Sequence, residues 1–318
     1  MNYKIFIFAI SATLSWIAYY FLIPQFKKLL LDIPNNRSLH VNPTPKGGGL
    51  IFVIFTTTFS ILSLIFNLGQ NFEIICLLTI PLSIIGFLDD RYNISPFIRY
   101  GIQLLTAILI FSYKSETLLL NDVKLNFIPY LIIVIGITAI INFINFMDGI
   151  DGLVGFSLLI ILVFIGIISS FNLALCVLIG SLLSFNIWNW SPAKIFMGDV
   201  GSTFLGAIYC GLILQMETWT QSFNVLIFSS PLILDSLICI FIRFRNGQNI
   251  FKAHKLHLYQ RLFEKGWDKR VIVLCYIIPT ILLCSSYLWF GTLGEMIILI
   301  LTIIFGLTLN KSAKPFLK

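Results

Sequence analysis

Charge is scarce in this chain: Asp, Glu, Lys and Arg make up 11% of its 318 residues, and there are three histidines. That is too little to cover a water-facing surface at this length. With 58% of residues hydrophobic and a mean hydropathy of +0.95, a soluble globular fold is excluded. Strict apolar–polar alternation is missing as well, which excludes a closed β-barrel, because the apolar runs are continuous. The first 23 residues lack a small-residue cleavage site and carry only Lys4, so they read as a retained span and not a removed leader. No C-x-x-C spacing links Cys76, Cys176, Cys210, Cys239, Cys275 and Cys284. Each is set in an apolar segment and reads as a small buried hydrophobe, not a ligand or a disulfide partner. Internal repeats and linkers are absent too, so one domain over 1–318 is expected.

What the chain has is apolar stretches, at 3–23, 48–66, 72–88, 97–113, 127–144, 153–170, 172–188, 200–217, 222–242, 271–290 and 293–310. Each is near the roughly 20 residues that a span requires. They predict an all-α polytopic membrane bundle of about 11 transmembrane helices. With the N-terminus outside and the C-terminus cytoplasmic, Lys4, Lys114 and Lys124 are the outer basic residues, leaving 18 of the 21 Lys and Arg inside. The positive-inside rule selects that orientation. It also explains the net charge of +7 as topology, so no nucleic-acid partner is implied.

The inward connections are the chemically dense ones. The stretch 141–154, I-N-F-I-N-F-M-D-G-I-D-G-L-V, spaces Asn142, Asn145, Asp148 and Asp151 three apart. On a continuing helix the first three share a stripe, and polar groups at the end of a membrane helix mark a functional site or, more blandly, a solvated Asp-Gly turn. In the first loop Arg37, His40 and Lys46 precede three glycines, a pattern that suits a phosphate and equally suits a basic juxtamembrane loop. Asp89 and Asp90 repel each other at a helix C-terminus, so a divalent metal or the adjacent Arg91 should compensate them unless they are simply solvated. The stretch W-N-W-S-P-A-K-I-F-M-G-D-V-G-S supplies Asn189, Phe196 and Asp199, the last of which also reads as an ordinary helix cap. In the last loop His254, His257 and Arg261 would share a helix face. Its surplus of positive charge suits phosphate, whereas zinc is disfavoured because no third ligand follows with the usual spacing. Asp235, inside the ninth stretch, should face the bundle interior or lie near the interface. Carboxylates from several loops, ringed by basic groups on one face, describe phosphoryl-group chemistry between a membrane-embedded and a soluble substrate. The competing reading is a transporter or lipid-carrier flippase, which would place its charges nearer the bilayer midplane.

In order along the chain, P-T-P-K-G-G-G, F-L-D-D-R, N-F-I-N-F-M-D-G-I-D-G-L, P-A-K-I-F-M-G-D-V-G-S and the late His-containing loop resemble the polyprenyl-phosphate N-acetylhexosamine-1-phosphate transferases, over about residues 37–266. That resemblance implies a multi-pass enzyme of the bacterial inner membrane. It would transfer a sugar-1-phosphate from a UDP-N-acetylhexosamine to undecaprenyl phosphate and release UMP, with Mg²⁺ or Mn²⁺ as cofactor. It further implies that Asp89 deprotonates or orients the lipid phosphate with Asp90 in support, and that Asn145 and Asp199 bind the metal. Asp148 and Asp151 would shape the nucleotide pocket, with Asn189 nearby and Phe196 against uracil. Lys46, Arg91, Asn142, His254, His257 and Arg261 complete the expected substrate-binding set. Tyr259 and Gln260 stand where the peptidoglycan-precursor branch has clustered histidines. The chain therefore resembles the branch that initiates O-antigen synthesis, with GlcNAc, FucNAc and QuiNAc all open. Oligomeric state is not fixed by the sequence, and a homodimer is compatible with it.

Accessibility labelling of single-cysteine variants is expected to find the 114–124 connection outside and the 243–270 loop inside; both on one side would scatter the motifs over two faces.

Overall fold

A computed structural model describes residues 2–34, 38–69, 71–119, 127–249 and 254–316; Arg37 and Lys124 lie outside them. The described chain is helical throughout, apart from one two-residue ladder. The elements run α1 (Asn2–Leu29), β1 (Leu31–Asp32), β2 (Thr44–Pro45), α2 (Gly49–Ile65), α3 (Asn71–Leu78), α4 (Ile80–Tyr92), α5 (Pro96–Leu119), α6 (Phe127–Met147) and α7 (Leu153–Ile168). They continue with α8 (Leu173–Asn189), α9 (Asp199–Ile213), α10 (Trp219–Ile227), α11 (Ser230–Arg245), α12 (Leu258–Glu264) and α13 (Lys269–Ser312).

Each of the eleven apolar stretches is helical, but fewer qualify as spans by length. Five helical segments are long and apolar enough to cross a membrane, namely Tyr3–Leu29, Asn71–Tyr92, Pro96–Tyr113, Ile128–Met147 and Lys269–Ser312. A sixth arises if α10 and α11, bent by 75° at their junction, are one broken span. The remaining apolar helices α2, α7, α8 and α9 have 15–17 residues. At about 1.5 Å per residue they measure about 22–26 Å against a hydrocarbon core of roughly 30 Å, so length alone does not identify them as spans. The last two stretches form one element broken at Gly291, whose φ of 65° lets the chain reverse. Residues 302–310 then line the same apolar groove as Cys275, Tyr276 and Pro279.

Outward-facing apolar side chains such as Phe97 (88% exposed), Leu293 (81%) and Trp289 (80%) would be costly in water and fit a lipid-facing belt. The interior is organised on α9, in which every residue from Val200 to Ile213 is buried. It packs against α2, α3, α4, α5, α6, α7 and α10. Small residues permit this crowding, as is usual where membrane helices approach closely. A Cβ on Gly206 would meet Ile141 Cα at 3.0 Å, and one on Gly49 would meet Gly201 Cα at 2.3 Å.

Two loops are stitched together beside that α2–α9 contact. The β1–β2 ladder pairs Leu31 with Pro45 and Asp32 with Thr44. The Phe196 amide then donates to Pro45 O at 2.8 Å, while the Gly48 and Gly49 amides donate to Phe196 O and Met197 O, each at 2.9 Å. Gly49→Ala would gain helix propensity, yet the clash is backbone on backbone and cannot be relieved by a rotamer change. It is expected to lose about 1–3 kcal/mol of stability, read as a lower thermal midpoint in detergent than wild type.

Candidate functional site

The ends of α4, α6, α8 and α9 and the start of α13 converge with the first loop on one cavity of about 270 Å³. Of the residues expected from the sequence, Lys46, Asp90, Asn145, Asp148, Asp151, Asn189, Phe196 and Asp199 line it. With Asp32 of the first loop, five carboxylates from four separate segments share one small space.

The start of α9 fixes two of them. Gly198 has φ +75°, a conformation that favours glycine, and a Cβ there would fall 2.4 Å from Asp90 Oδ2. This lets the Asp90 carboxylate accept from the Asp199 amide at 3.1 Å and the Val200 amide at 3.3 Å, satisfying two otherwise orphan helix-start donors. Asp90 is thus a cap supplied by another helix. Asp89 does not line the cavity but is coupled to it, because Arg99 Nη1 donates to Asp89 Oδ2 at 2.6 Å and to Asp199 Oδ2 at 3.0 Å. The compensating cation is therefore Arg99 from α5, not the neighbouring Arg91, which is exposed and lies over the Tyr92 ring at 5.1 Å.

The stretch opened by α6 supplies the other wall. The helix ends at Met147, so the stripe expected to run on through Asp148 breaks one residue early. Asn145 Oδ1 accepts from the Ser202 hydroxyl at 2.5 Å. Asp151 is held by Lys269 Nζ at 3.1 Å and the Ala193 amide at 3.3 Å. Asn189 ties two loops together, accepting from the Gly152 amide and donating to Ile195 O, both at 2.8 Å. Phe196 meets the His40 ring edge-on at 4.9 Å, giving the cavity an aromatic flank. Lys46 pairs with Asp32 at 3.3 Å. The Asp148 carboxylate accepts no hydrogen bond among the described residues. Burial, followed by the charges of Asp199, Asp90 and Asp151, holds its carboxyl well above the ordinary carboxylate range, with Lys46 opposing.

Besides Arg91, four of the expected substrate-binding residues are elsewhere. Asn142 is buried inside the bundle, its Nδ2 donating to Gln103 Oε1 at 2.7 Å and Thr138 O at 2.8 Å, so its stripe faces α5 at that level. Arg261 donates to Leu256 O, Lys314 O and Asn310 Oδ1 and lies over the Phe316 ring, fastening the C-terminal tail. His257 is buried, with Nδ1 3.7 Å from Asp235 Oδ1, and His254 lies beside it at 4.9 Å between ring centres. The loop's cavity residues are instead Gln260 and Lys269. Both were missed, since a lone amide and a lysine at a helix start carry no signal in a basic loop. Arg99 had one: a cation at the start of an apolar helix, where the macrodipole is unfavourable, needs an anionic partner.

A helical membrane protein with one polyacidic cavity ringed by cations defines the class. Within it, residues 72–217 match the model of glycosyl transferase family 4, in keeping with the family that the motifs resemble. The match contains the F-L-D-D-R, N-F-I-N-F-M-D-G-I-D-G-L and P-A-K-I-F-M-G-D-V-G-S motifs and leaves the first and last loops outside. Among similar proteins, a probable undecaprenyl-phosphate N-acetylglucosaminyl 1-phosphate transferase of Bacillus subtilis (strain 168) is 29% identical, covering 91% of this chain and 87% of the relative. A phospho-N-acetylmuramoyl-pentapeptide-transferase of Wolbachia sp. subsp. Brugia malayi (strain TRS) is 28% identical, covering 86% and 95%. One of the same description from Streptococcus pneumoniae (strain CGSP14) is 26% identical over 70% and 74%.

The electrostatics of Asp148 have a consequence for stability. Because its carboxyl binds a proton more tightly in the folded than in the unfolded chain, its contribution is lost as pH rises from the unfolded carboxylate value toward the raised one. Asp148→Asn is therefore expected to raise the cation-free thermal midpoint at about pH 8 and to do little near pH ~4, where the unfolded carboxylate also holds its proton. An equal effect at both pH values would mean that Asp148 is not strained by its charge.

Proposed function

We propose that the protein transfers a sugar-1-phosphate from a UDP-N-acetylhexosamine to undecaprenyl phosphate at the cytoplasmic face of a bacterial inner membrane, releasing UMP. The observation that carries this reading is the unpartnered Asp148 carboxylate in a cavity with Asp90, Asp151 and Asp199. Such a set suits a divalent cation, and all-oxygen donors beside an Asn suit Mg²⁺, which keeps part of its shell for substrate phosphate and water. The two B. subtilis and Wolbachia relatives, described as a GlcNAc-1-phosphate and a phospho-MurNAc-pentapeptide transferase, support the reaction class.

Asp199 and Asn145 are the proposed Mg²⁺ ligands, with Asp148 facing the same space. When bound, the ion would neutralise phosphate oxygens of the pyrophosphate. In the reaction an oxygen of the lipid phosphate attacks the sugar-bearing phosphorus, the phosphorus–oxygen bond to UMP breaks, and UMP leaves as the anion. Asp89 takes or orients the acceptor's proton, and Arg99, already between Asp89 and Asp199, is placed to meet the incoming phosphate. Lys46 and Lys269 hold the remaining phosphate charge, and Phe196 with His40 offers an aromatic wall for uracil. The full set of eleven spans, the outside N-terminus and the cytoplasmic C-terminus belong to this same reading, since they put the cavity on the side where UDP-sugars occur. Tyr259 and Gln260 favour a small N-acetylhexosamine over a muramoyl-pentapeptide, and the initiation of O-antigen or a related envelope glycan.

The test is UMP release by the detergent-solubilised protein, which should require a UDP-N-acetylhexosamine, undecaprenyl phosphate and Mg²⁺ together; a flippase would release none. Asp199→Ala is expected to lower turnover by about 10²-fold or more and to remove the Mg²⁺ dependence of UDP-sugar binding in calorimetry. Wild-type Mg²⁺ dependence in that variant would move the metal to other ligands.

A further inference from the structure

Outside the cavity, α11 and the chain entering α12 bring together a second group of ligand-type side chains. The Cys239 sulfur and one ring nitrogen each of His254 and His257 lie within 4.8 Å of one another, with Cys239 Sγ 4.0 Å from His254 Nδ1. None of the three lines the polyacidic cavity. Cys239 and His257 are buried and His254 is half-buried, so one sulfur and two imidazole donors share a largely water-free place. His257 Nδ1 is buried and lacks a hydrogen-bond partner, although Asp235 Oδ1 stands 3.7 Å away, just beyond reach.

We infer that Cys239, His254 and His257 form a structural site for a thiolate-binding divalent transition metal, zinc in the first place, with Asp235 as the outer partner of His257. Zinc bonds of about 2.0–2.3 Å to nitrogen and sulfur imply donor separations near 3.5 Å, so the present triangle needs only a small closure. Asp235 behind His257 is the carboxylate–histidine arrangement that fixes which ring nitrogen faces a metal. The carboxylate is itself anchored, accepting from the Leu258 amide at 2.8 Å and Tyr276 Oη at 2.7 Å. His254 Nδ1 would give up its contact from the Leu256 amide at 3.2 Å. The thiolate and Asp235 together balance the ion's charge. Zinc was disfavoured from the sequence because no third ligand follows the two histidines; the third donor precedes them by fifteen residues and comes from a helix interior.

The site differs in kind from the Mg²⁺ site of the proposed reaction, since sulfur and imidazole select zinc-like ions and carboxylates select magnesium. Its effect would be mechanical, clamping the start of α12 to α11 and so seating Gln260 at the cavity. The experiment uses the purified full-length chain in detergent, stripped with chelator and titrated with Zn²⁺ against a competing chromophoric chelator, with Co²⁺ as an optical probe. One equivalent of Zn²⁺ per chain is expected, and Co²⁺ should show a thiolate-to-metal charge-transfer band. Cys239→Ser should abolish that band and weaken Zn²⁺ binding by about tenfold or more, with His254→Gln also weakening it, whereas Cys275→Ser changes neither. No stoichiometric Zn²⁺ on wild type, a Co²⁺ spectrum without the thiolate band, or equal loss in Cys275→Ser would overturn the assignment. Because the readouts are metal content and spectrum, they stand apart from UMP release.

Discussion

Repulsion among carboxylates confined to one cavity governs how the helix ends around it are arranged. Each of Asp90, Asp151 and Asp199 has a different answer to it. Asp90 takes two backbone N–H groups at the start of α9, Asp151 takes Lys269, and Asp199 shares Arg99 with Asp89. These answers come from α9, α13 and α5, so the cavity holds only while those helices keep their positions. Asp148 receives no such partner, and burial together with the neighbouring carboxylates holds its carboxyl well above the ordinary carboxylate range. A fully neutralised cavity would be more stable without ligand and would have less reason to take up a cation.

The close packing around α9 follows from the same requirement. A helix start can present amides to Asp90 only if α4 comes within hydrogen-bond reach, and a Cβ on Gly86 would lie 2.7 Å from the Val200 nitrogen. The approach of α2 through Gly49 and Gly201 brings the first loop, and with it Lys46 and His40, onto the same cavity. Small residues here serve electrostatics as much as packing, since they shorten the distance between charges carried by different helices.

Much of this was legible in the sequence because membrane helices leave polar residues few places to go. Apolar runs located every helix except α12, and dense polar clusters at their ends gave eight residues that line the cavity. What failed was rotational setting and partner choice. Asn142 belongs to the same three-residue series as Asn145, yet one turn deeper it faces Gln103 of α5. Arg91 is adjacent to the acidic pair in sequence, but it points outward while Arg99 returns from the next helix. The count of spans was also harder to read than their existence. The 15-residue α9, whose start is set by Gly198 and the capping it permits, is shorter than the apolar run at 200–217.

The last loop failed for a different reason. Its residues His254, His257 and Arg261 carry the charge and imidazole that suggest ligand binding, but their partners are Cys239, Asp235 and the C-terminal tail, distant in sequence. Asp235 lies at the centre of this knot, since it receives the amides of Leu258 and Tyr259 and the hydroxyl of Tyr276 and so seats α12 between α11 and α13. Tyr259 then reaches Phe146 O, against the turn that carries Asp148, while its neighbour Gln260 faces the cavity. An intramembrane carboxylate is retained at a cost only where it has partners to hold, and here they hold one wall of the cavity. Changes at position 260 therefore act on the cavity wall itself and changes at 259 on the turn behind it, whereas changes at 254, 257 and 261 act by moving the unit on which that wall is mounted.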